Sequence, residues 1–150
     1  MKTERITDVV GLNFLWQVDN IYCAGQPSIE SFQAIKGLGV NKVFNMRDIS
    51  EMDFSEEEEA CKSLGLEYIQ FPLLINGQLS KDSCNKLSES INDSDKWFIH
   101  CGSANRIGAW LITYLVSHRD LSFDDAVEVA MNNGLTNPGF IEQAKSVLNS

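Results

Sequence analysis

The sequence is poor in positive charge. It contains 12 Lys and Arg against 21 Asp and Glu, which gives a formal net charge of −9 at pH 7, and its basic residues do not cluster. Proteins that bind nucleic acids or anionic membranes concentrate positive charge on one face, so we expect neither partner. No apolar run is long enough for a membrane span or a signal peptide, which predicts a cytoplasmic protein.

Closely spaced cysteines are also missing. The four cysteines, at positions 23, 61, 84 and 101, form no Cys-x-x-Cys pair and no metal-ligand spacing. A chain of 150 residues that is 43% hydrophobic can build a core without disulfides. We therefore expect reduced thiols, with no metal and no cofactor. Because no linker, repeat or low-complexity segment interrupts the chain, residues 1–150 are predicted to form a single domain.

Short apolar runs alternate with amphipathic segments along the chain. Strands are predicted at 21–24, 40–46, 66–73 and 97–100. Helices are predicted at 28–39, 55–65, 80–91, from the loop after Cys101 to 118, at 122–134, and from 137 onward. This alternation predicts the α/β class, with a mainly parallel central sheet flanked by helices in a three-layer sandwich.

Helix starts and apolar patches give more local predictions. Ser28 is predicted to be an N-cap, and Ser55 with Glu58 to form a capping box. The glutamates at 56–58 are expected to form a solvated first turn. Residues 14–18 include an apolar patch that is expected to pack against the domain.

The main functional candidate is the stretch 97–110, WFIHCGSANRIGAW. It combines an apolar strand, a tight loop of small residues and the start of an amphipathic helix. A cysteine between a strand end and a helix N-terminus lies where backbone N–H groups and the helix dipole favour negative charge. Cys101 is therefore predicted to be a nucleophilic thiolate with a pKa below that of a free cysteine, and His100 precedes it directly.

Arg106 and the loop predict an oxyanion cradle. The planar guanidinium of Arg106 can bind two oxygens of one anion. The residues around it are expected to direct backbone amides at the same anion: Gly102, Ser103, Ala104, Asn105 and Ile107. The predicted partner is a substrate that carries a phosphate or another oxyanion.

Other polar side chains follow the neighbouring strands. Ligands of parallel sheets bind at the carboxyl ends of the strands, so the loops after 46, 73 and 100 should surround one pocket. That pocket would contain Arg47, Asp48 or Asp53, and Asn76. Arg47 is expected to brace the loop or pair locally, and a turn carboxylate is a more common role for Asp48 than a general acid.

Several segments together resemble a known family. These are 24–27 (AGQP), 42–47 (KVFNMR), 67–72 (EYIQFP) and 100–106 (HCGSANR), which span most of the chain. They are similar to the bacterial beta-lactamase hydrolase-like phosphatases, which in turn resemble dual-specificity protein phosphatases. The resemblance implies a cysteine that attacks phosphorus, an arginine and loop amides that stabilise the transition state, and no metal.

Two features leave the chemistry open between phosphatase and other functions. Four residues separate Cys101 from Arg106, where phosphatases of this type usually have five, and the shorter spacing resembles rhodanese-type sulfurtransferases. The loop that holds a general acid in such phosphatases carries Asn76 and no carboxylate before Asp82, and Ile107 replaces a hydroxyl residue. The alternatives are a sulfurtransferase with a persulfide on Cys101 and an oxyanion-binding module without catalysis.

Overall fold

A computed structural model describes residues 3–12 and 15–150. The strands are β1 (Thr3–Ile6), β2 (Leu15–Val18), β3 (Ile21–Ala24), β4 (Lys42–Asn45), β5 (Glu67–Gln70), β6 (Leu74–Ile75), β7 (Gln78–Leu79) and β8 (Trp97–His100). The helices are α1 (Ser31–Gly37), α2 (Ser55–Ser63), α3 (Lys81–Ser90), α4 (Asn105–His118), α5 (Phe123–Asn132) and α6 (Pro138–Leu148).

The main sheet has the order β1-β2-β3-β8-β4-β5. Strands β3, β8, β4 and β5 are parallel, whereas β1 and β2 extend the sheet by antiparallel pairing. The predicted α/β class with a mainly parallel central sheet is therefore confirmed. Strand β8 lies inside the sheet and all four of its residues are buried, so the loop that follows it starts from a fixed point.

Helices cover both faces of the sheet, as the sandwich prediction requires. Successive side chains of a strand point to opposite faces. Accordingly, Trp97 and Ile99 of β8 belong to a core that includes residues of α3 to α6, while Phe98 packs with Phe32 and Ile35 of α1 on the other face. Both cores are built mostly from fully buried aliphatic and aromatic side chains.

Helix α4 is the most buried helix of the fold. Nine consecutive residues, from Ile107 to Leu115, are buried. The Trp110 side chain is fully buried, and its Nε1–H donates to Ser88 Oγ at 2.9 Å. A Cβ atom on Gly108 would lie 2.7 Å from Leu135 Cβ, so glycine allows the segment after α5 to approach the first turns of α4 closely.

Three extended segments were missed by the sequence analysis. Strands β1 and β2 were not predicted, although β2 falls in the apolar patch expected to pack against the domain. Phe14 of that patch lies outside the described residues. The segment after residue 73 was predicted as a loop, but it forms the hairpin β6–β7, whose turn is Asn76-Gly77 with φ values of 53° and 78°. Asn-Gly is a favoured pair for such a tight turn.

Two predicted helix caps were wrong. Helix α1 begins at Ser31, and Ser28 lies in the preceding turn, where its Oγ is 3.1 Å from Ser31 Oγ. Helix α2 begins at Ser55, and the side chain that accepts from the Ser55 N–H is that of Asp53. The side chain that bonds to the start of α2 is therefore that of Asp53, two residues before the predicted cap at Ser55.

Among the helices of the described ranges, none has the length and apolar character needed to cross a membrane.

Candidate active site

The candidate site lies at the carboxyl ends of three adjacent parallel strands. The Cys101 N–H donates to the carbonyl oxygen of Ala24, the last residue of β3. The N–H of Met46, the residue after β4, donates to His100 O. The loop after β8 is thus held between the loops after β3 and β4. We use the name cradle loop for residues 101–107. Its position is the edge of the sheet where ligands of α/β proteins bind.

The backbone of the cradle loop surrounds the Cys101 sulfur. The N–H groups of Ile107, Arg106 and Ala104 lie close enough to the thiol to lower its pKa. Ala104 has a φ of 72°, a left-handed conformation that turns the chain into α4. Because Ile107 contributes its backbone N–H while its side chain is buried in the core, it supports the site without offering a hydroxyl.

Close contact with the β3 loop holds the cradle loop in place. Gln26 N donates to Gly102 O at 3.0 Å. A Cβ on Gly25 would lie 2.8 Å from the same carbonyl oxygen, a distance that side chains do not tolerate. The Gly-Gln-Pro segment therefore begins with glycine because the two loops approach each other backbone to backbone.

The expected low pKa of Cys101 is wrong for this structure. Cys101 has no exposed surface, and burial raises its pKa above the ordinary value. The three loop N–H groups and the Arg106 charge lower the pKa, but they do not offset desolvation. Burial also raises the pKa values of Cys61 and Cys84, in both cases to about 12. Cys101 differs from these two because its surroundings can stabilise a thiolate.

Arg106 is held by a glutamate that the sequence analysis did not single out. Its Nη1 and Nη2 donate to the two carboxylate oxygens of Glu51, both at 2.7 Å. Arg47 Nε donates to Glu51 Oε1 at 3.2 Å, so one carboxylate joins two guanidinium groups. The bonds from Arg106 are the main reason that the pKa of Glu51 falls to about 2.

Replacing Glu51 by glutamine is expected to lower the pKa of Cys101, because the positive charge of Arg106 would no longer be neutralised. The pH dependence of iodoacetamide labelling, followed by mass spectrometry, measures this pKa, with Cys61 and Cys84 as internal references. Glu56→Gln, an exposed neighbour, is the matched control. An unchanged or higher labelling midpoint in Glu51→Gln would contradict the prediction.

A buried carboxylate lies behind Cys101. His100 is fully buried, and its Nε2 lies 2.9 Å from Glu57 Oε2, while Glu57 is 3% exposed. Tyr68 Oη donates to the same oxygen at 2.6 Å, and Asn45 Nδ2 donates to Tyr68 Oη. Burial alone would raise the pKa of Glu57, but the bonds to His100, Tyr68 and Gln26 outweigh it and lower the pKa.

The expectation that Glu57 belongs to a solvated turn is therefore wrong. Its two neighbours, Glu56 and Glu58, do leave the core. Helical spacing contained the signal, because Glu57 lies four residues before the buried Cys61 and shares its face of α2. A glutamate on the apolar side of a helix requires a polar partner in the core.

Glu57→Ala is expected to destabilise the fold by about 1–3 kcal/mol for each buried group left without its bond, since His100, Tyr68 and Gln26 all bond to this carboxylate. Since the pKa of Glu57 is below its ordinary 4.5, the carboxylate stabilises the fold above about that pH and loses this effect on further acidification. Urea unfolding at several pH values measures both. Glu56→Ala removes a neighbouring exposed carboxylate as the control, and an equal loss of stability in both variants would count against the buried pair.

Arg47 lies beside the cradle loop, and two polar residues of the loop, Ser103 and Asn105, are held by hydrogen bonds. A Cβ on Gly102 would lie 3.9 Å from Arg47 Cζ and 3.8 Å from Arg106 Nη2, so both guanidinium groups flank the loop. Asn105 Oδ1 accepts from the N–H groups of Thr136 and Asn137 at 2.8 and 2.9 Å, which gives it a bracing position. Ser103 Oγ accepts from Asn105 Nδ2.

The two carboxyl candidates for a general acid are poorly suited to that role, and Asn76 cannot deliver a proton. Hydrogen bonds from Ser50 lower the pKa of Asp48, and hydrogen bonds from Ser55 lower the pKa of Asp53. Both carboxyl groups are therefore ionised near neutral pH. Asn76 occupies the exposed turn of the β6–β7 hairpin.

No three or more His, Cys, Asp or Glu side chains in the ranges 3–12 and 15–150 are grouped so that they could hold a metal ion.

Several solved structures with a similar fold are phosphatases. Tk-PTP in its active form superposes with a TM-score of 0.71 at 16% identity, covering 86% of this chain and 91% of its own. TpbA from P. aeruginosa gives a TM-score of 0.72 at 14% identity, covering 91% and 84%. Kinase associated phosphatase, with its catalytic-site cysteine replaced by serine, gives 0.72 at 11% identity, covering 99% and 94%.

These likenesses show that the chain has the fold of cysteine-dependent phosphatases. No protein-family model matches the sequence, and no curated protein matches it. The resemblance to the beta-lactamase hydrolase-like phosphatases therefore stays a prediction, whereas the wider likeness to tyrosine and dual-specificity phosphatases is carried by the fold.

Proposed function

We propose that the protein is a cysteine-dependent phosphatase that hydrolyses phosphomonoesters. The observation that carries the proposal is the arrangement of Cys101, with three loop N–H groups around its sulfur and Arg106 at the start of the helix behind it. The shared fold with phosphatases supports it, and a further structure of TpbA is a complex with phosphotyrosine. The substrate class is a phosphorylated protein or a small phosphate ester.

The proposed reaction has two displacement steps. In the first, Cys101 Sγ attacks as a thiolate, an S–P bond forms, and the P–O bond to the leaving group breaks. In the second, water attacks phosphorus, and the S–P bond breaks to release inorganic phosphate and regenerate the thiolate. Donors that point at the developing charge stabilise such transition states, and here these are Arg106 and the loop amides.

The leaving oxygen needs a proton, and the candidate donors near the site are ionised. General acid catalysis contributes roughly 10²–10⁴-fold, mostly for leaving groups of high pKa. We therefore expect aryl phosphates to be hydrolysed faster than alkyl phosphates by about this factor. Comparing kcat/KM for p-nitrophenyl phosphate and an alkyl phosphate tests this.

Substitutions of the candidate donors refine that comparison. Asp48→Asn should leave the aryl rate within a few-fold, and Asn76→Asp should change neither rate because the turn is exposed. A large loss of alkyl turnover in Asp48→Asn alone would identify Asp48 as the acid. A gain of alkyl turnover in Asn76→Asp would place the acid on the hairpin, as the sequence analysis expected.

The short spacing between Cys101 and Arg106 favours sulfur transfer as the second candidate function. Transfer of sulfane sulfur through a Cys101 persulfide needs a thiolate and an anion cradle but no general acid. The deciding experiment measures p-nitrophenyl phosphate hydrolysis and thiosulfate–cyanide sulfur transfer on the same preparation. Hydrolysis without sulfur transfer supports the phosphatase, the reverse supports the sulfurtransferase, and tight oxyanion binding with neither activity supports a binding module.

A further inference from the structure

Gln26 lies where two groups of charged residues meet behind the cradle loop. On one side, Gln26 Nε2 donates to Glu57 Oε1 at 2.7 Å. On the other side, Arg47 Nη1 donates to Gln26 Oε1 at 3.0 Å. The backbone N–H of Gln26 is bonded to Gly102 O, so this residue contacts the cradle loop through both its main chain and its charged neighbours.

Glu57 and Arg47 are linked, through further residues, to opposite ends of the cradle loop. Glu57 binds His100, which is joined covalently to Cys101. Arg47 binds Glu51, whose carboxylate binds both terminal nitrogens of Arg106. The Gln26 amide therefore completes a continuous chain of bonds from the nucleophile to the arginine. We use the name Gln26 circuit for this set: Cys101, His100, Glu57, Gln26, Arg47, Glu51 and Arg106.

The amide of Gln26 satisfies both neighbours. The Glu57 carboxylate accepts hydrogen bonds and the Arg47 guanidinium donates them, so the side chain between them must donate on one side and accept on the other. A glutamate at this position would place a carboxylate against Glu57, and an apolar side chain of the same length would remove the bond to each of the two neighbours. The two neighbours also fix the amide orientation, with nitrogen toward Glu57 and oxygen toward Arg47.

We infer that Gln26 is a positioning residue that fixes the Arg106 guanidinium relative to the Cys101 sulfur, and so sets the affinity of the cradle loop for a tetrahedral oxyanion. The expected effect on the reaction rate rests on the proposed function, whereas the expected effect on oxyanion affinity can be measured without any turnover. Geometry at the reacting centre has large effects on rate, since misplacement of a group by about 1 Å can cost about 100-fold.

The test exchanges the donor and the acceptor across the Gln26–Glu57 contact. Gln26→Glu alone should weaken tungstate binding, measured by isothermal titration calorimetry, by about tenfold or more, since each broken charge-assisted bond is worth about one to two orders of magnitude. Gln26→Met, which removes both bonds without adding charge, should give a similar loss. The double variant Gln26→Glu with Glu57→Gln restores a donor opposite an acceptor and should recover most of the affinity.

The side chain at position 57 keeps its other hydrogen-bond partners in the double variant. The oxygen that accepts from His100 and Tyr68 can remain an oxygen in the glutamine, while the new amide nitrogen faces position 26. Gln33→Ala, an exposed glutamine of α1, is the matched control, and thermal unfolding midpoints show which variants remain folded. Affinities are compared well below every unfolding midpoint, so that recovery by the exchange reports binding and not the folded fraction.

The outcomes separate this inference from the proposed function. Wild-type affinity in Gln26→Met, or a double variant that binds no more tightly than Gln26→Glu, overturns the inference even if the enzyme hydrolyses phosphate esters. The affinity for tungstate can fall in Gln26→Glu and recover in the double variant while the unsubstituted protein hydrolyses no phosphate ester. That result supports the inference and contradicts the proposed phosphatase function. An unsubstituted protein that does not bind tungstate overturns both.

Discussion

Cys101→Ser is expected to abolish hydrolysis of p-nitrophenyl phosphate, with a loss on the order of 10⁴-fold or more. Serine is nearly the same size, but its hydroxyl ionises far less readily than a thiol. The three N–H groups close to the sulfur can stabilise a thiolate, whereas an alcohol at the same position would stay protonated and would need a general base to attack phosphorus. The variant should keep its fold and still bind tungstate.

Cys84→Ser is the matched control for the nucleophile. Cys84 is a buried cysteine in α3, and its thiol is close enough to bond with Thr113. Serine can make the same bond, so this variant should retain activity within a few-fold. If Cys101→Ser keeps a substantial part of the hydrolytic rate, Cys101 is not the nucleophile, and the proposed mechanism is wrong.

Arg106→Lys is expected to reduce turnover by about 100-fold or more, although it keeps the positive charge. Lysine is a point charge and cannot bond both oxygens of Glu51 while also binding a substrate oxygen in a fixed plane. In the structure, Nη1 and Nη2 are both occupied by Glu51 at 2.7 Å, so the orientation of the guanidinium depends on this planar contact. The loss should appear mainly in kcat, with weaker tungstate binding in parallel.

Arg119→Lys provides the control for this change. Arg119 follows the other end of α4 and pairs with Asp19 at 2.6 Å. Its replacement should leave kcat and KM near the wild-type values. Arg106→Lys activity as high as that of Arg119→Lys would show that the planar clamp has no part in the reaction.

The sequence was sufficient to predict the α/β class and the position of Cys101 because both depend on local patterns. Strand β3 matches its predicted range, and β8 ends at His100 as expected. Helices α3, α5 and α6 were predicted closely, and the structure places the capping side chains of Ser80, Ser122 and Asn137 at their starts. The short strand β1 has mostly exposed residues, so no apolar pattern marks it in the sequence.

The partners of the candidate site could not be predicted in the same way, because they come from distant parts of the chain. Glu51 meets Arg106 across 55 positions, and Glu57 meets His100 across 43. Nothing in the sequence of the acidic segment distinguishes Glu51, which pairs with the arginine of the candidate site, from a glutamate that faces water. The pKa of Cys101 was misjudged for a related reason, since the degree of burial depends on how several helices pack around the loop.

The bracing position of Asn105 has a consequence for the end of the chain. Its side-chain oxygen accepts from the backbone N–H groups of Thr136 and Asn137, the last residues before α6. The C-terminal segment therefore takes part in shaping the cradle loop without contributing a reactive group. A chain truncated before Thr136 would keep Cys101, Arg106 and every strand of the sheet, yet it would release one side of the loop. Shortening from the C-terminus should thus impair oxyanion binding before it removes any residue of the proposed chemistry.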